Sequence, residues 1–294
     1  MRNITEDTIT QAVLAAMSGC SNDRLRTVMT SLVQHLHSFA REVKLTESEW
    51  AYAINFLTDV GHITDDKRQE FVLLSDTLGL SMLVTTQNNR KPAECTEATV
   101  LGPFFVSGAP EYNNGDDISN GAAGRPCFVS GRIEGLSGEP VASAEIEVWQ
   151  SDEEGNYDVQ YVNPDDPKVD FQARGRLQTL PDGRFHFRSI LAEAYPIPHD
   201  GPVGKMLDAL GRHPWRPAHL HFWVKAPGYE PLITHVFRNG DQYLDSDAVF
   251  GVRSTLIVDW VEHPAGIAPD GTVMDTPFYT LDYDFVLNPS EHAS

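Results

Sequence analysis

The segment Arg216-Pro217-Ala218-His219-Leu220-His221-Phe222-Trp223-Val224 sets two histidines two residues apart in a run of strand-forming residues. Along a strand, side chains at i and i+2 leave the same face, so both imidazoles can reach one metal ion. His35-Leu36-His37 has the same spacing but lies in a helical pattern. There, positions i and i+2 stand about 200° apart around the axis and the rings diverge. Chelation is therefore expected of the strand pair only. The plain alternative is two polar residues on a strand's solvent face.

The remaining ligands decide the metal. No HExxH motif, nearby third histidine of a facial triad or cysteine partner accompanies the pair, which speaks against zinc and ferrous-triad centres. Two tyrosines sit in constrained settings instead. Tyr157 closes the turn Ser151-Asp152-Glu153-Glu154-Gly155-Asn156-Tyr157, and Tyr195 opens Tyr195-Pro196-Ile197-Pro198, stiffened by two prolines. A phenolate is a hard, strongly donating oxygen ligand, and beside two imidazoles it favours ferric iron. Taken alone, each tyrosine reads first as a core or rim aromatic.

Two kinds of element must position these residues. The first ~90 residues have helical apolar spacing. A helix over 24–43 carries Leu25, Val28, Leu32, Leu36, Phe39 and Val43 on one face. Another starts at Thr46, where Thr-Glu-Ser-Glu has capping-box form, and stops at Gly61. A third begins near Thr64 and runs through Leu78, and a shorter one spans Thr5 to Ser18. After Pro103 and a loop over 108–126, short β runs alternate with turns: 127–133, 145–150, 184–189, 218–224, 232–237, 254–260 and 281–286. The expected fold is α+β: an antiparallel β-sandwich over residues 101–294, preceded by a helical part over 1–100.

The 294 residues allow one large or two modest domains, and 41% hydrophobic content rules out general disorder. Twenty-two basic against 42 acidic residues leave a net charge of −20, which repels nucleic acid and anionic lipid. Three scattered cysteines, Cys20, Cys95 and Cys127, suit free thiols in a reducing compartment. The polar, acidic start MRNITEDTIT is unlike a signal peptide, and no apolar run is long enough to span a membrane. A cytoplasmic chain is expected.

Three segments together resemble the intradiol ring-cleaving dioxygenases: Val148-Trp149-Gln150 with Gly155-Asn156-Tyr157, Tyr195-Pro196-Ile197-Pro198 with Asp200-Gly201-Pro202, and Arg216-Pro217-Ala218-His219-Leu220-His221. Leu101-Gly102-Pro103-Phe104 matches the family's junction between its helical and catalytic parts. The resemblance implies Fe(III) held by Tyr157, Tyr195, His219 and His221, with Tyr195 displaced by the substrate and Arg216 stabilising charge on it. It places His235 in a supporting shell and implies a homodimer through the helical part, where a lipid can sit. Asp158-Val159-Gln160-Tyr161 and Gly211-Arg212-His213-Pro214-Trp215 are most similar to the hydroxyquinol 1,2-dioxygenases. The implied reaction is O2-dependent cleavage of 1,2,4-trihydroxybenzene to 3-hydroxy-cis,cis-muconate (maleylacetate). The implied pocket comprises Leu73, Asp76, Val100, Leu101, Gly102, Pro103, Phe104, Ile197, Pro198, Arg216 and Val249. Asp76 lies three residues after Leu73 on an otherwise apolar helix face, where a carboxylate can meet a third hydroxyl; the plain reading there is a helix-surface salt bridge.

Two positions depart from the family pattern. Asn156 replaces a common aromatic, and His235 stands where catechol dioxygenases usually carry Gln. The runner-up activity is catechol or chlorocatechol 1,2-dioxygenase. More remote readings are a prealbumin-like binding module, on the strength of the segment Gly131 to Val148, and a metal-dependent hydrolase using His219, His221 and a carboxylate.

Overall fold

The computed structural model describes residues 2–65, 68–161 and 170–290. Contacts divide the chain into one unit ending at His62 and another starting at Ile63. The first unit holds α1 (Ile9–Ala16), α2 (Asp23–Glu42) and α3 (Glu47–Ile63). Asn22 caps α2 by accepting from the Leu25 amide at 2.9 Å. The capping box ahead of α3 forms reciprocally: the Thr46 amide donates to Glu49 Oε2 at 2.9 Å, and the Glu49 amide donates to Thr46 Oγ1 at 3.3 Å. No residue of α2 is buried. Leu25, Val28, Leu32, Leu36, Phe39 and Val43 all stand exposed, so the face its spacing marks as apolar is uncovered in the single chain.

In the second unit the helix expected from Thr64 begins only at Glu70, giving α4 (Glu70–Thr77). The Asp65 carboxylate instead accepts from the Arg68 amide at 2.7 Å, and such local side-chain bonds compete with helix. Gly79, at φ +74°, ends α4 and starts a helix not expected from the sequence, α5 (Leu80–Asn88).

The strands follow: β1 (Pro126–Gly135), β2 (Glu145–Gln150), β3 (Arg174–Gln178), β4 (Arg184–Ile190) and β5 (Tyr195–Pro196). After α6 (Pro202–Ala209) come β6 (Trp215–Arg216), β7 (His219–Lys225) and β8 (Leu232–Arg238), then β9 (Ile257–Val258) and β10 (Val261–His263). A short hairpin, β11 (Gly266–Ile267) with β12 (Val273–Met274), precedes β13 (Phe278–Asp282) and β14 (Phe285–Leu287). The elements β3 and α6 escaped the sequence reading. The strand expected over 281–286 is two strands, because the Asp284 side chain takes the Arg132 amide at 2.7 Å and interrupts the ladder.

One five-stranded sheet runs β10-β13-β1-β14 with β4 on β1, and the other runs β3-β2-β7-β8-β9. The ladders are not all antiparallel, as expected, but mixed: β1 pairs β13 and β14 in parallel, and β8 pairs β9 in parallel. Those partners are joined by long connections, so no hairpin dictates their direction. Both sheets feed one core, with Val129, Ile133, Phe185 and Phe285 from the first and Ile146, Val148, Leu220, Phe222 and Val236 from the second. No helix among the described residues is long and apolar enough to cross a membrane.

Candidate metal centre

Spacing on β7 sends His219 and His221 to the same side, where each is 1% exposed. Their Nε2 atoms lie 3.1 Å apart. The solvent-facing alternative is thereby overturned, both side chains on that face of β7 being withdrawn from solvent. Tyr157 is fully buried just before the 3-10 turn Asp158–Tyr161, with Oη 2.9 Å from His221 Nε2. Tyr195 sits opposite Arg216 in the β5–β6 ladder. Arg216 Nη1 donates to Tyr195 Oη at 3.2 Å and lies 3.5 Å from His219 Nε2. The two tyrosine rings meet edge-on at 5.1 Å. His35 and His37 lie in α2, as the helical reading required, and His37 Nδ1 bonds Thr10 Oγ1 at 2.9 Å.

Hydrogen bonds behind the imidazoles decide which nitrogens face inward. His219 Nδ1 lies 2.7 Å from the Pro217 carbonyl, which can only accept, so Nδ1 carries the hydrogen and Nε2 keeps its lone pair. Burial, with Arg216 adding, holds His219 down to about 3, so the ring is neutral. His221 Nδ1 meets His235 Nε2 at 2.8 Å, and His235 Nδ1 meets Thr99 Oγ1 at 2.7 Å. This chain can run in either direction, and only the outward one, with His221 Nδ1 donating, leaves His221 Nε2 a lone pair. Burial first, and then the neighbouring histidines, also lower His221. The three imidazoles offer nitrogens within 4.8 Å of one another. His235 commits both nitrogens to His221 and Thr99, so it orients His221 and keeps no nitrogen free for an ion.

Burial raises the Tyr157 phenol well above its ordinary value, with Tyr195 adding and with Arg216 and Arg174 opposing. Two neutral imidazoles and two phenols therefore converge where negative charge is costly unless a cation shares the space. A hard, highly charged ion answers that condition by taking the oxygens as phenolates, and the donor set fits such an ion.

Packing locks the rings. Trp149 stacks on His221 with centroids 4.6 Å apart, as expected of directly opposed residues on β2 and β7. Phe104 stacks on Tyr157 at 4.4 Å. Gly102, at φ +80°, brings its loop so close that a Cβ there would stand 3.1 Å from His221 Cε1.

A cavity of about 190 Å³ opens beside Phe104 and is walled by Leu73, Asp76, Pro103, Phe104 and Pro198, with Arg68 and Gln160 at its edge. Asp76 is no surface salt bridge, being 6% exposed on α4. Burial raises its carboxyl pKa against a bond from Ser81 and the charge of Arg216, and Asp247 adds to the rise. Of the other pocket residues expected, Val100, Leu101, Gly102, Ile197, Arg216 and Val249 do not form these walls. Val100, Ile197 and Val249 are buried, and Val249 donates its amide to Asp247.

Sequence reasoning missed Asp247, Thr99 and the pair Arg174–Asp158. One acid among 42 carries no signal of its own. The Val148-Trp149-Gln150 motif contains the stacking tryptophan, but its role against His221 was not read from the sequence.

Comparison with known proteins follows the same lines. The family described as "Dioxygenase" matches residues 100–289, and "Catechol dioxygenase N terminus" matches residues 22–96. A 6-chlorohydroxyquinol 1,2-dioxygenase of Cupriavidus pinatubonensis is 58% identical over 99% of this chain and 100% of its own length. A hydroxyquinol 1,2-dioxygenase of Nocardioides simplex is 49% identical over 97% of this chain and 96% of its own. The solved hydroxyquinol 1,2-dioxygenase of Pseudomonas putida DLL-E4 superposes with a TM-score of 0.89 at 45% identity, covering 97% of this chain and 99% of that one.

Proposed function

The chain belongs to the intradiol ring-cleaving dioxygenases, and from that premise we propose that it cleaves hydroxyquinol, 1,2,4-trihydroxybenzene, with O2 to 3-hydroxy-cis,cis-muconate (maleylacetate). The observation that carries this reading is the placement of Asp76, buried in the wall of the cavity beside the imidazole–phenol cluster. Its carboxylate can accept a hydrogen bond from the hydroxyl that hydroxyquinol has and catechol lacks.

The group implied for the centre is Fe(III), held by Tyr157, Tyr195, His219 and His221. When bound, it supplies Lewis acidity and electron acceptance toward a chelated diol. The chain's own residues do the rest. Tyr195 Oη receives a diol proton, and its position opposite Arg216 keeps a cation beside it throughout. Arg216 stabilises negative charge that develops on the ring and its oxygens. Phe104, stacked on Tyr157, closes the centre against water, while Leu73 and Pro198 give the cavity its apolar lining. Pro103 walls the cavity, while Val100, Leu101, Gly102, Ile197 and Val249, which do not line it, are assigned in this reading to the substrate's surroundings at the centre itself, Gly102 by letting the loop close on His221. Both oxygen atoms of O2 enter the product, so no external reductant is required.

The two sheets packed on one core form the β-sandwich of a catalytic part over 101–294, with residues 1–100 as the helical part, of which α4 lends Leu73 and Asp76. The exposed apolar face of α2 supports a homodimer through the helical part, an interface that by the family resemblance can also hold a lipid. The three free cysteines support a reducing, cytoplasmic setting. A chlorinated triol is the second reading, since the Cupriavidus relative is named for one.

The test is the visible spectrum of the iron-loaded protein before and after anaerobic addition of 1,2,4-trihydroxybenzene. A broad phenolate-to-metal band that shifts on addition is expected. A colourless, iron-free and fully active protein would overturn the reading.

A further inference from the structure

Arg174 is among the largest side chains wholly withdrawn from solvent, at 1% exposure, and neither the family resemblance nor the proposed chemistry gives it a task. Its place in the sheet is informative. Register aligns Arg174 with Trp149, Trp149 with His221, and His221 with His235 across β3, β2, β7 and β8. Directly opposed residues share a face, so Arg174 is the outermost member of a row that ends on the site.

Its guanidinium joins two other segments. Nε donates to Asp158 Oδ2 at 2.8 Å and Nη2 to Asp158 Oδ1 at 2.6 Å, a bidentate pair. The same Nη2 donates to the Phe104 carbonyl at 2.8 Å. Asp158 directly follows Tyr157, and the Phe104 ring is the one stacked on Tyr157. One planar cation thus ties the side-chain carboxylate of the residue after Tyr157 to the backbone carbonyl of Phe104, on either side of the Tyr157–Phe104 stack. Phe104 lies in the loop before β1 and Asp158 opens the 3-10 turn that follows Tyr157, so Arg174 joins two segments distant in sequence.

We propose that Arg174 is a positioning residue that sets the Tyr157 phenol against Phe104, and through Phe104 places the cavity wall relative to the centre. This rests on the ferric reading of the site. A lysine keeps the charge but not the fork, so it cannot hold the carboxylate in bidentate fashion and the carbonyl together. The proposal therefore concerns geometry and not charge alone.

The test compares wild type, Arg174→Lys and Arg174→Met. Each is loaded with Fe(III) and read by the position of its phenolate band, by iron retained against a competing chelator, and by kcat and KM for 1,2,4-trihydroxybenzene. Far-UV circular dichroism reports the fold. Both variants are expected to shift the band and lower iron affinity roughly tenfold or more, the size seen when an outer partner of a ligand is lost. KM should rise along with a fall in kcat, because the wall at Phe104 loosens. Where Arg174→Met fails to fold, Arg174→Lys carries the same comparison. Variants with the wild-type band, iron affinity and KM, even if less heat-stable, would make Arg174 mere scaffold and overturn the proposal. Absence of the band in the unsubstituted protein would instead bring down the reading of the centre, and the proposal with it.

Discussion

Asp247 holds Arg216 along one edge of its guanidinium in a bidentate grip. Nε lies 3.0 Å from Oδ1 and Nη2 3.3 Å from Oδ2, which leaves Nη1 facing Tyr195 Oη at 3.2 Å. Burial alone would lower the Arg216 pKa, but Asp247 and the tyrosines outweigh it and the group stands above its ordinary value. Asp247 is in turn held below the carboxylate range: burial raises it, and Arg216 with the Gly251 amide more than reverses that. The pair presents a fixed cation to the site without a free charge in the core.

Arg216→Ala should lower kcat by on the order of 10²-fold or more, the range seen for a lost electrostatic donor. Iron content should stay near wild type, since Arg216 is no ligand. Asp247→Asn should preserve the cation but loosen its aim, with kcat down roughly tenfold and stability down by about 3 kcal/mol. Steady-state kinetics, metal analysis and urea denaturation check these outcomes. Iron lost in step with activity in Arg216→Ala would mark the arginine as structural.

The ligand assignment separates the two tyrosines. Tyr157→Phe and His221→Ala should lose most of the iron, because Tyr157 Oη and His221 Nε2 sit together at 2.9 Å, both wholly buried. Tyr195→Phe should keep part of its iron and turn over slowly, since its oxygen is assigned to receive the substrate's proton. Metal content by atomic absorption, set beside single-turnover rates, distinguishes these results.

Asp76 should govern selectivity. Asp76→Ala is expected to depress kcat/KM for 1,2,4-trihydroxybenzene by roughly tenfold or more, the size of a lost charge-assisted bond, with catechol turnover little changed or improved. Equal losses on both substrates would make Asp76 scaffold.

Asp76 also makes a pH signature. Burial raises its pKa in the folded chain above the unfolded value of 3.8. Between those values the folded state binds more protons, so its contribution to stability is present at acid pH and lost as pH rises through the folded pKa. Asp76→Asn should therefore melt higher than wild type at about pH 8, the gap closing toward about pH 4. Paired thermal melts across that range test it. A gap that widens on acidification would contradict the assignment.

Thiol chemistry offers a check on burial. Cys127 is fully buried and its thiol is pushed up to about 12 by desolvation, and Cys95 is also buried, whereas Cys20 is half-exposed. A maleimide should label Cys20 in the native protein, and the other two only after denaturation. Mass spectrometry of peptides from native labelling reads the result directly.

What the sequence by itself determined is local. Two histidines at i and i+2 can share a face only in a strand, so His219 and His221 were legible as a chelating pair, and His35 and His37 as its counterexample. The capping box at Thr46 and Glu49 was legible for the same reason, since its bonds span three residues. The motifs around Tyr157 and Tyr195 were legible through resemblance, which compresses tertiary information into short strings. Other features depend on long-range register. Strand β3 escaped notice because Arg174 interrupts its apolar pattern, yet that arginine is buried where Asp158 arrives to pair with it. Asp247 and Thr99 became visible only when folding set them against Arg216 and His235, 31 and 136 residues away in sequence. The apolar face of α2 was read correctly as a stripe, but whether a chain buries such a stripe depends on what packs there, and here it lies open. Charge and spacing select what a residue can do; only the tertiary structure supplies the partner that makes a buried ion, a neutral imidazole or a raised carboxyl affordable, because the cost of burying a polar group depends on what stands within about 3 Å of it.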